Sequence, residues 1–323
     1  MSAPARSAAA GLASARDVEE IHYYLAQTPR QLPSRLLYDA LGSILFEAIC
    51  LLPWYRITRA EVGLLAGRGG AIGALASPTE LVELGCGNGD KIVALVRALP
   101  PPAPAVHLID VSAEALARTT LALQTVGATA IAAVQATYED GLMQLPVASA
   151  HGRRLILFLG SNVGNFDPPA ASAFLHLVRN ALGPRDSLLI GVDLQKSERD
   201  LMLAYDDPLG VTAAFNKNLL LRLNSEAGTN FDLDGFEHKV QWNAVASRVE
   251  MHLVSRRRQK IVVPGPDGSM VFTMAAGESI WTESSYKYEP ETFQTLVEAA
   301  GLAPRARWID AEAQFLLALF EAR

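Results

Sequence analysis

The chain has 323 residues, of which 50% are hydrophobic and 19% are charged, and its formal net charge is −6. This composition excludes a disordered or collagen-like chain, and the acidic balance argues against a nucleic-acid partner. No stretch reaches the roughly 18 uncharged apolar residues of a membrane helix, so we expect a soluble protein without a membrane partner.

The first residues and the two cysteines bear on location. The N-terminal sequence MSAPARSAAAGLASARD has no continuous apolar region of the kind that a secretory signal needs, and we interpret residues 1–16 as a disordered tail. Cys86 lies in a glycine-rich segment where a structural disulfide would be awkward, and Cys50 is the other cysteine. A reducing cytoplasm therefore fits best.

Ordered structure is predicted from Asp17 onward. Residues 17–60 have apolar positions at helical spacing. From Glu80 the pattern changes to short apolar strands that alternate with helical runs, and these strands are ELVEL, VHLID, AIAAV, RLILFLG and SLLIGVD. Such alternation is typical of βαβ units around a parallel sheet.

After Asp193 the alternation stops. Residues 194–288 are predicted to form helices followed by antiparallel strands in SRVEMHLVSRRRQKIVV and MVFTMAAGESIWTESSYKY, as an inserted α+β domain. The last 35 residues return to a helix, PETFQTLVEAAGL, and to two strands, PRARWID and QFLLALFEA, whose short connection favours an antiparallel hairpin. We therefore predict a doubly wound α/β sheet that is closed by an antiparallel C-terminal strand.

A glycine-rich turn follows the strand ELVEL. Gly85, Gly87 and Gly89 occupy alternate positions, and a helix begins near Asp90. Glycine permits a tight turn and the close approach of a ligand. A dinucleotide fingerprint requires glycine at position 90, so Asp90 argues against a nicotinamide-dependent dehydrogenase. The E-x-G-x-G-x-G pattern instead matches the first motif of S-adenosylmethionine (SAM) methyltransferases.

Two charged residues near this turn suit SAM. Asp110 ends the next predicted strand and is placed to accept hydrogen bonds from both ribose hydroxyls. Lys91 follows the turn and could bind the methionine carboxylate through a charge-assisted hydrogen bond. The structural alternatives are a glycine turn with an ordinary helix-capping acid, and a solvated lysine in the first turn of a helix.

Longer segments carry a resemblance to one family. From about Pro33 to the C-terminus the chain resembles the histidine-specific Nα-methyltransferases of ergothioneine biosynthesis, which convert L-histidine to its trimethylated betaine, hercynine. The matching segments are LLYDALGSILFEAI, LPWY, TRAE, VELGCGNGDK, FLGSNVGNF, LAYDDPLGVTAAFNKN, FDLDGFEHKVQWN, RVEMHL and TESSYK. The resemblance implies SAM as the methyl donor and L-histidine as the substrate.

The resemblance also implies the substrate contacts. Tyr55 and Asn165 match residues that contact the α-amine, and Asn165 and Tyr205 match those that hold the carboxylate. In TESSYK, Glu283 and Ser285 match the pair that holds the imidazole, with Ser284 between them as a further substrate-binding residue. Tyr38 and Met251 match residues beside the ring.

The resemblance implies the cofactor contacts and the domain organisation as well. The residues that match cofactor contacts are Gly85, Gly87, Lys91, Asp110, Thr137 and Tyr138. Thr137 stands where the family often has an acidic residue, and Tyr138 is expected to cover the adenine. The implied fold has a Rossmann-like SAM methyltransferase domain, formed by residues 61–193 and 289–323. Residues 17–60 and 194–288 are expected to form a substrate-binding domain. The active site is expected in the crevice that separates the two domains.

The chemistry explains why Tyr55 and Asn165 are the candidate catalytic residues. Methyl transfer from a sulfonium is an in-line displacement by a neutral amine, so positioning is the main task of the enzyme. A tyrosine oxygen and an amide carbonyl accept amine hydrogens without fixing a full negative charge. Tyr38 and Tyr55 are predicted to accommodate the quaternary ammonium product through cation–π attraction.

Two other functions stay open from the sequence. The protein could methylate another aromatic amine, such as a tryptophan derivative, or it could bind SAM without catalysis. No histidine or cysteine pairing has metal-ligand spacing, so no metal is expected. With no heptad repeat or large apolar stripe, we predict a monomer.

Overall fold

The computed structural model describes residues 15–146, 152–266 and 268–323. The predicted tail lies outside the described residues as far as position 14, and the first helix begins at Ala15. Within the described ranges, we find no helix that combines the length and the apolar character needed to cross a membrane.

The regular elements are numbered in chain order. The helices are α1 (Ala15–Leu25), α2 (Ala40–Leu51), α3 (Ile57–Ala76), α4 (Asp90–Ala98), α5 (Ala113–Gln124), α6 (Tyr138–Met143), α7 (Pro168–Asn180), α8 (Glu198–Tyr205), α9 (Val211–Glu226) and α10 (Pro290–Ala299). The strands are β1 (Arg30–Gln31), β2 (Glu80–Leu84), β3 (Ala105–Asp110), β4 (Ile131–Gln135), β5 (Arg154–Phe158), β6 (Ser187–Asp193), β7 (Phe236–Asn243), β8 (Arg248–Ser255), β9 (Gln259–Val263), β10 (Met270–Met274), β11 (Ser279–Tyr286), β12 (Leu302–Asp310) and β13 (Phe315–Ala322).

Residue contacts divide the chain into two compact units. The first unit comprises the described residues up to Ala48, together with Tyr205–Gln241 and Glu250–Glu283. The second unit comprises Ile49–Ala204, Trp242–Val249 and Ser284–Arg323. The domain bounds given by the sequence, at residues 60, 193 and 288, stay a prediction.

The second unit is built on a seven-stranded sheet with the order β12-β13-β6-β5-β2-β3-β4. The neighbours from β6 to β4 pair in parallel, and β13 pairs antiparallel with both β6 and β12. The predicted doubly wound sheet with an antiparallel C-terminal strand is therefore confirmed. The central strands β5 and β6 are buried at every position, as expected for parallel strands that are covered on both faces.

Alternating side chains of this sheet form two apolar cores. Val82 and Leu84 of β2 pack in one core with residues of α6, α7 and α10. Leu81 packs in the other core with residues of α3, α4 and α5. Successive strand residues point to opposite faces, so the sheet lies between two layers of helices.

The first unit contains most residues of a four-stranded sheet with the order β1-β11-β8-β7, and it contains a two-stranded sheet of β9 and β10. The β9 and β10 strands are antiparallel, whereas the two residues of β1 pair in parallel with β11. Strand β7 was not foreseen in the sequence. The strands predicted in MVFTM and SIWTESSY are present as β10 and β11.

Candidate active site

The carboxyl ends of four neighbouring parallel strands bring candidate residues to one edge of the sheet in the second unit. The glycine turn follows β2, Asp110 ends β3, Thr137 and Tyr138 follow β4, and Asn165 follows β5. The strand order reverses at β2 and β5, because β3 and β4 lie on one side of β2 and β6 lies beyond β5. Open α/β sheets bind ligands at such a switch point, outside the carboxyl ends of the strands.

The glycine turn has a left-handed backbone. Gly87 has φ +54°, and a Cβ atom added there would meet no atom within 4 Å. Gly89 has φ +83°, and a Cβ atom there would lie 2.9 Å from Thr119 Oγ1. Gly87 thus has open space above its backbone, whereas Gly89 packs tightly on α5. A ligand can approach the turn at Gly87.

Asp110 ties the turn to the end of β3. Its Oδ2 accepts a hydrogen bond from the Gly87 backbone N–H at 3.2 Å, and its Oδ1 accepts one from the Ser112 N–H at 2.9 Å. Each carboxylate oxygen can accept more than one hydrogen bond, so Asp110 can shape the turn and still bind ligand hydroxyls. The structure therefore brings together Asp110 and Gly87, two of the predicted cofactor residues.

Tyr138 also lies against the turn. A Cβ atom added at Gly85 would be 2.9 Å from Tyr138 Oη. The Tyr138 ring packs edge-on against Phe158, with the ring centroids 5.3 Å apart. Burial raises the pKa of Tyr138, which keeps its hydroxyl neutral. Thr137 is exposed and caps α6, accepting a hydrogen bond from the Asp140 N–H at 3.2 Å.

Lys91 forms an ion pair that was not predicted from the sequence. Its Nζ lies 3.1 Å from Glu61 Oε2, and the Glu61 side chain is fully buried. Burial raises the pKa of Glu61, and Lys91 acts in the opposite direction. The sequence does contain an indication of this ion pair. Glu61 precedes Leu65 and Ile72 on the buried face of α3, where an unpaired carboxylate would be unfavourable.

Glu83 is a second buried carboxyl group at this edge. It lies in β2, is 1% exposed, and neither carboxyl oxygen has a hydrogen-bond partner among the described residues. Burial raises its pKa well above the ordinary value, and nearby Lys91 lowers it. A buried carboxyl group without a partner is stable either as the neutral acid or beside a cation. The turn therefore suits a ligand that carries a positive charge.

The loop after β5 carries Asn165. Ser161 has φ +59°, its Oγ accepts a hydrogen bond from the Asp193 N–H at 2.9 Å, and a short 3-10 helix follows over Asn162–Asn165. Asn165 is half-buried at the end of this helix. Tyr55, the other residue predicted to bind the amine, is buried in the same unit ahead of α3.

Strand β11 carries Glu283 and Ser285, which are predicted to bind the ring, and Ser284, a further predicted substrate residue. Alternation along the strand puts Glu283 and Ser285 on one face and Ser284 on the other. Glu283 and Ser285 are buried, whereas Ser284 is partly exposed. The Glu283 carbonyl oxygen accepts a hydrogen bond from Trp281 Nε1 at 2.9 Å.

The remaining predicted substrate residues are Tyr38, Met251 and Tyr205, in the first unit. The Tyr38 ring packs edge-on against Phe46 and Phe215, each with its centroid 5.5 Å away. Met251 is 2% exposed.

A half-buried histidine holds the backbone at Tyr205. The Tyr205 carbonyl oxygen accepts a hydrogen bond from His238 Nε2 at 2.9 Å, so that ring nitrogen carries the proton. His238 Nδ1 lies 2.9 Å from Asn216 Nδ2 and accepts from it. Burial lowers the pKa of His238, which agrees with a neutral ring. His238 thus has a structural role beside a predicted substrate residue.

Comparison with known proteins gives a consistent result. A family model described as histidine-specific, SAM-dependent methyltransferase matches residues 17–322. The histidine N-alpha-methyltransferase of Mycobacterium tuberculosis (strain CDC 1551 / Oshkosh) is 38% identical over 303 residues, which is 93% of each chain. The protein of the same name from Mycolicibacterium smegmatis is 40% identical over 298 residues, 91% of each chain. Ergothioneine biosynthesis protein 1 of Neurospora crassa is 32% identical over 87% of this chain and 32% of its own length.

Proposed function

Because the chain belongs to the family of SAM-dependent, histidine-specific methyltransferases, we propose that it transfers three methyl groups to the α-amino group of L-histidine and so produces hercynine for ergothioneine biosynthesis. The family resemblance inferred from the sequence is confirmed, and the enzyme class with it. The observation that carries the proposal is the match to named histidine methyltransferases along nine-tenths of the chain.

The described residues fit SAM. SAM supplies a methyl group on a sulfonium, and it also has an α-ammonium group and two ribose hydroxyls. We propose that the open backbone at Gly87, the Asp110 carboxylate and the unpartnered Glu83 carboxyl group hold it. Acceptor-only carboxylates suit hydroxyl and ammonium donors. Gly85, Lys91, Thr137 and Tyr138 are proposed as further contacts.

The proposed roles of the substrate residues follow from their chemistry. Histidine arrives mostly as an α-ammonium ion, and the nitrogen must lose its proton before its lone pair can attack. Tyr55 and Asn165 offer oxygen atoms that accept the amine hydrogens and so orient the lone pair. Asn165 and Tyr205 offer hydrogen-bond donors to the carboxylate. In each transfer the nitrogen–carbon bond forms as the sulfur–carbon bond breaks, and the bonding electrons stay with sulfur.

Selectivity for the imidazole is assigned to Glu283 and Ser285. A site that is built to hydrogen-bond two ring nitrogens rejects side chains that leave those groups unpaired. Met251 and Tyr38 are proposed to pack beside the ring, where they limit its position.

We also propose that the enzyme acts as a monomer in a reducing cytoplasm. Both cysteines, Cys50 and Cys86, are free thiols in the structure, which supports a reducing compartment. Size-exclusion chromatography with light scattering tests the monomer, and a dimer mass would contradict it.

Mass spectrometry of a competition reaction tests the function. Purified protein, SAM and equal amounts of histidine, tryptophan and tyrosine are incubated together. Histidine that gains three methyl groups is the expected result. Modified tryptophan would overturn the substrate assignment, and SAM binding without any product would favour the non-catalytic alternative.

A variant pair tests the role of the amine contact. Tyr55→Phe should slow methyl transfer, because it removes the oxygen that accepts the amine hydrogens. Tyr23→Phe is the matched control, since Tyr23 is 64% exposed. A Tyr55→Phe enzyme that completes all three transfers at the original rate would contradict the role given to that hydroxyl.

A further inference from the structure

The buried carboxylate of Glu61 joins three segments of the second unit. It projects from α3, and both of its oxygens accept the Gly160 backbone N–H, at 3.0 and 2.8 Å. Its Oε2 also lies 3.1 Å from Nζ of Lys91, which is in the first turn of α4. Gly160 lies in the loop that follows β5. One carboxylate thereby connects this loop with the start of α4, directly after the glycine turn.

Two glycines make room for the ion pair. A Cβ atom added at Gly191 of β6 would lie 1.8 Å from Glu61 Oε1. A Cβ atom added at Gly160, which has φ +80°, would lie 2.6 Å from Lys91 Nζ. Both distances are shorter than Cβ atoms adopt in real structures. The backbone of β6 and of the loop after β5 is therefore shaped around these two charged groups, which defines one place for the ammonium group.

The two charged side chains differ in exposure. The Glu61 side chain is fully buried, whereas the Lys91 side chain is 22% exposed. Lys91 is therefore the member of the pair that a ligand can reach. An ammonium group has three N–H donors, so it can donate to a protein carboxylate and to a ligand carboxylate at the same time. Because a lysine side chain is flexible and strongly hydrated, it needs an anchor to keep its ammonium group in one place.

We infer that Glu61 is a positioning residue that holds the Lys91 ammonium group where it binds the methionine carboxylate of SAM. This inference rests on the proposed function, specifically on the contact of Lys91 with SAM. Glu61 acts through the lysine, since its own side chain is fully buried. A lysine that is already held in place loses less conformational freedom when the cofactor binds, and this favours binding.

The negative charge of Glu61 also repels the ligand carboxylate, so its two effects on binding have opposite signs. The repulsion is the weaker effect, because the ammonium group lies nearer to the ligand than Glu61 does and Coulomb energy falls with distance. Without Glu61, the flexible lysine would turn its ammonium group toward water, where it is well hydrated. Replacing Glu61 should therefore weaken the contact with the cofactor carboxylate.

Two ligands that differ only in this carboxylate test the inference on the full-length protein. S-adenosylhomocysteine carries the carboxylate, and decarboxylated S-adenosylhomocysteine does not. Calorimetric titration gives the Kd of each ligand for the wild type and for Glu61→Gln. We expect the variant to raise the Kd of S-adenosylhomocysteine by about tenfold, as for the loss of a hydrogen bond to a charged group. The Kd of the decarboxylated ligand should change by less than about twofold.

Three further variants separate positioning from charge and from general damage. Glu61→Asp keeps the negative charge but is one methylene shorter, so it should raise the Kd of S-adenosylhomocysteine in the same selective way. Lys91→Met should do so too, and adding Glu61→Gln to it should cause no further loss, since coupled residues are not additive. Glu80→Gln is the matched control, because Glu80 pairs with Arg154 at 2.7 Å at the opposite end of β2 from the glycine turn. It should leave both Kd values unchanged.

Several results would overturn the inference. One is an equal rise in Kd for both ligands in Glu61→Gln, which would indicate general damage to the site. Another is tighter binding of S-adenosylhomocysteine, which would mean that repulsion by Glu61 prevails over positioning. A selective loss of the same size in Glu80→Gln would have the same consequence. If Glu61→Gln does not fold, Glu61→Asp keeps the buried charge and takes its place in the test.

Failure of the inference differs from failure of the proposed function. A wild-type protein that binds both ligands equally well would contradict the proposed contact of Lys91 with SAM, and the inference with it. A wild-type protein that prefers S-adenosylhomocysteine, and whose Glu61→Gln variant keeps that preference, would overturn the inference alone. Absence of histidine methylation would overturn the proposed reaction and leave the inference standing, because this test measures only cofactor binding.

Discussion

The Glu61 carboxylate accepts the Gly160 backbone N–H on both oxygens, at 3.0 and 2.8 Å, while Lys91 contacts it from α4. One buried side chain of α3 thereby fixes the start of α4 and the loop after β5. Both segments lie at the carboxyl edge of the sheet, where the candidate residues gather. A carboxylate with a charged partner and a backbone donor satisfies the usual condition for burial.

Replacing Glu61 should therefore destabilise the protein. Glu61→Gln keeps an oxygen for Gly160 but removes the charge opposite Lys91, and we expect a loss of about 1–3 kcal/mol in the free energy of unfolding. Urea unfolding measures it. Glu291→Gln is the control, because Glu291 pairs with Arg307 at the surface, where such pairs contribute about 0–1 kcal/mol. Equal losses in the two variants would contradict the role of Glu61.

Asp110→Asn should weaken the binding of SAM and of its product, S-adenosylhomocysteine. The amide replaces one acceptor oxygen by a donor, so it cannot serve both the turn and two ligand hydroxyls. We expect about a tenfold or greater rise in Kd, in line with the strength of hydrogen bonds to charged groups. Calorimetric titration measures it. Asp90→Asn changes an exposed acid of the same turn and should alter Kd by less than about twofold; similar effects of both variants would argue against Asp110 as a ligand contact.

Two glycines of α3 should respond oppositely to alanine. A Cβ atom at Gly67 would meet no atom within 4 Å, whereas one at Gly69 would lie 2.3 Å from Ala98 Cβ. Gly67→Ala should raise the free energy of unfolding by about 0.5–1 kcal/mol, because alanine has less backbone freedom to lose. Gly69→Ala should lower it by about 1–3 kcal/mol by forcing α3 away from α4. Urea unfolding of both variants checks the signs, and a stabilised Gly69→Ala protein would contradict this packing.

The alternation of short apolar runs with helical runs along the sequence predicted most strands of the sheet in the second unit. SLLIGVD is a strand over Ser187–Asp193, as foreseen, because a short apolar run that alternates with helical segments is consistent with a buried strand of a parallel sheet. Strand β7 was missed for the opposite reason. Its inward positions include Phe236, His238 and Val240, and the polar histidine at the middle position hides the period of two.

The site was predictable where its residues lie at the ends of consecutive strands. The glycine turn and Asp110 carry their meaning in local spacing, and the structure brings them into hydrogen-bond contact. Ion pairs such as Lys287 with Asp193 join residues that are far apart in the chain, so no local pattern announces them. Their existence depends on the tertiary fold, which composition and periodicity do not specify.

Glu83 should make the stability of the ligand-free protein depend on pH. Burial raises its pKa well above the ordinary 4.5, Lys91 lowers it, and the nearby carboxylates of Asp110 and Glu61 raise it further. Above pH 4.5 the unfolded chain releases the Glu83 proton while the folded protein keeps it. The stabilisation due to Glu83 is therefore complete below that pH and is lost as pH rises toward the folded-state pKa, by up to about 1.4 kcal/mol per pH unit.

Glu83→Gln isolates this contribution, because glutamine does not titrate while Glu61, Lys91 and Asp110 are unchanged. Urea unfolding of both proteins at pH 5, 6 and 7, without SAM, gives the difference in free energy of unfolding at each pH. We expect the free energy of unfolding of the wild type to fall relative to that of Glu83→Gln as pH rises. Only the wild type loses the stabilisation that the protonated Glu83 provides. Parallel curves for the two proteins would mean that Glu83 is already ionised when folded, and that a cationic partner holds it without SAM.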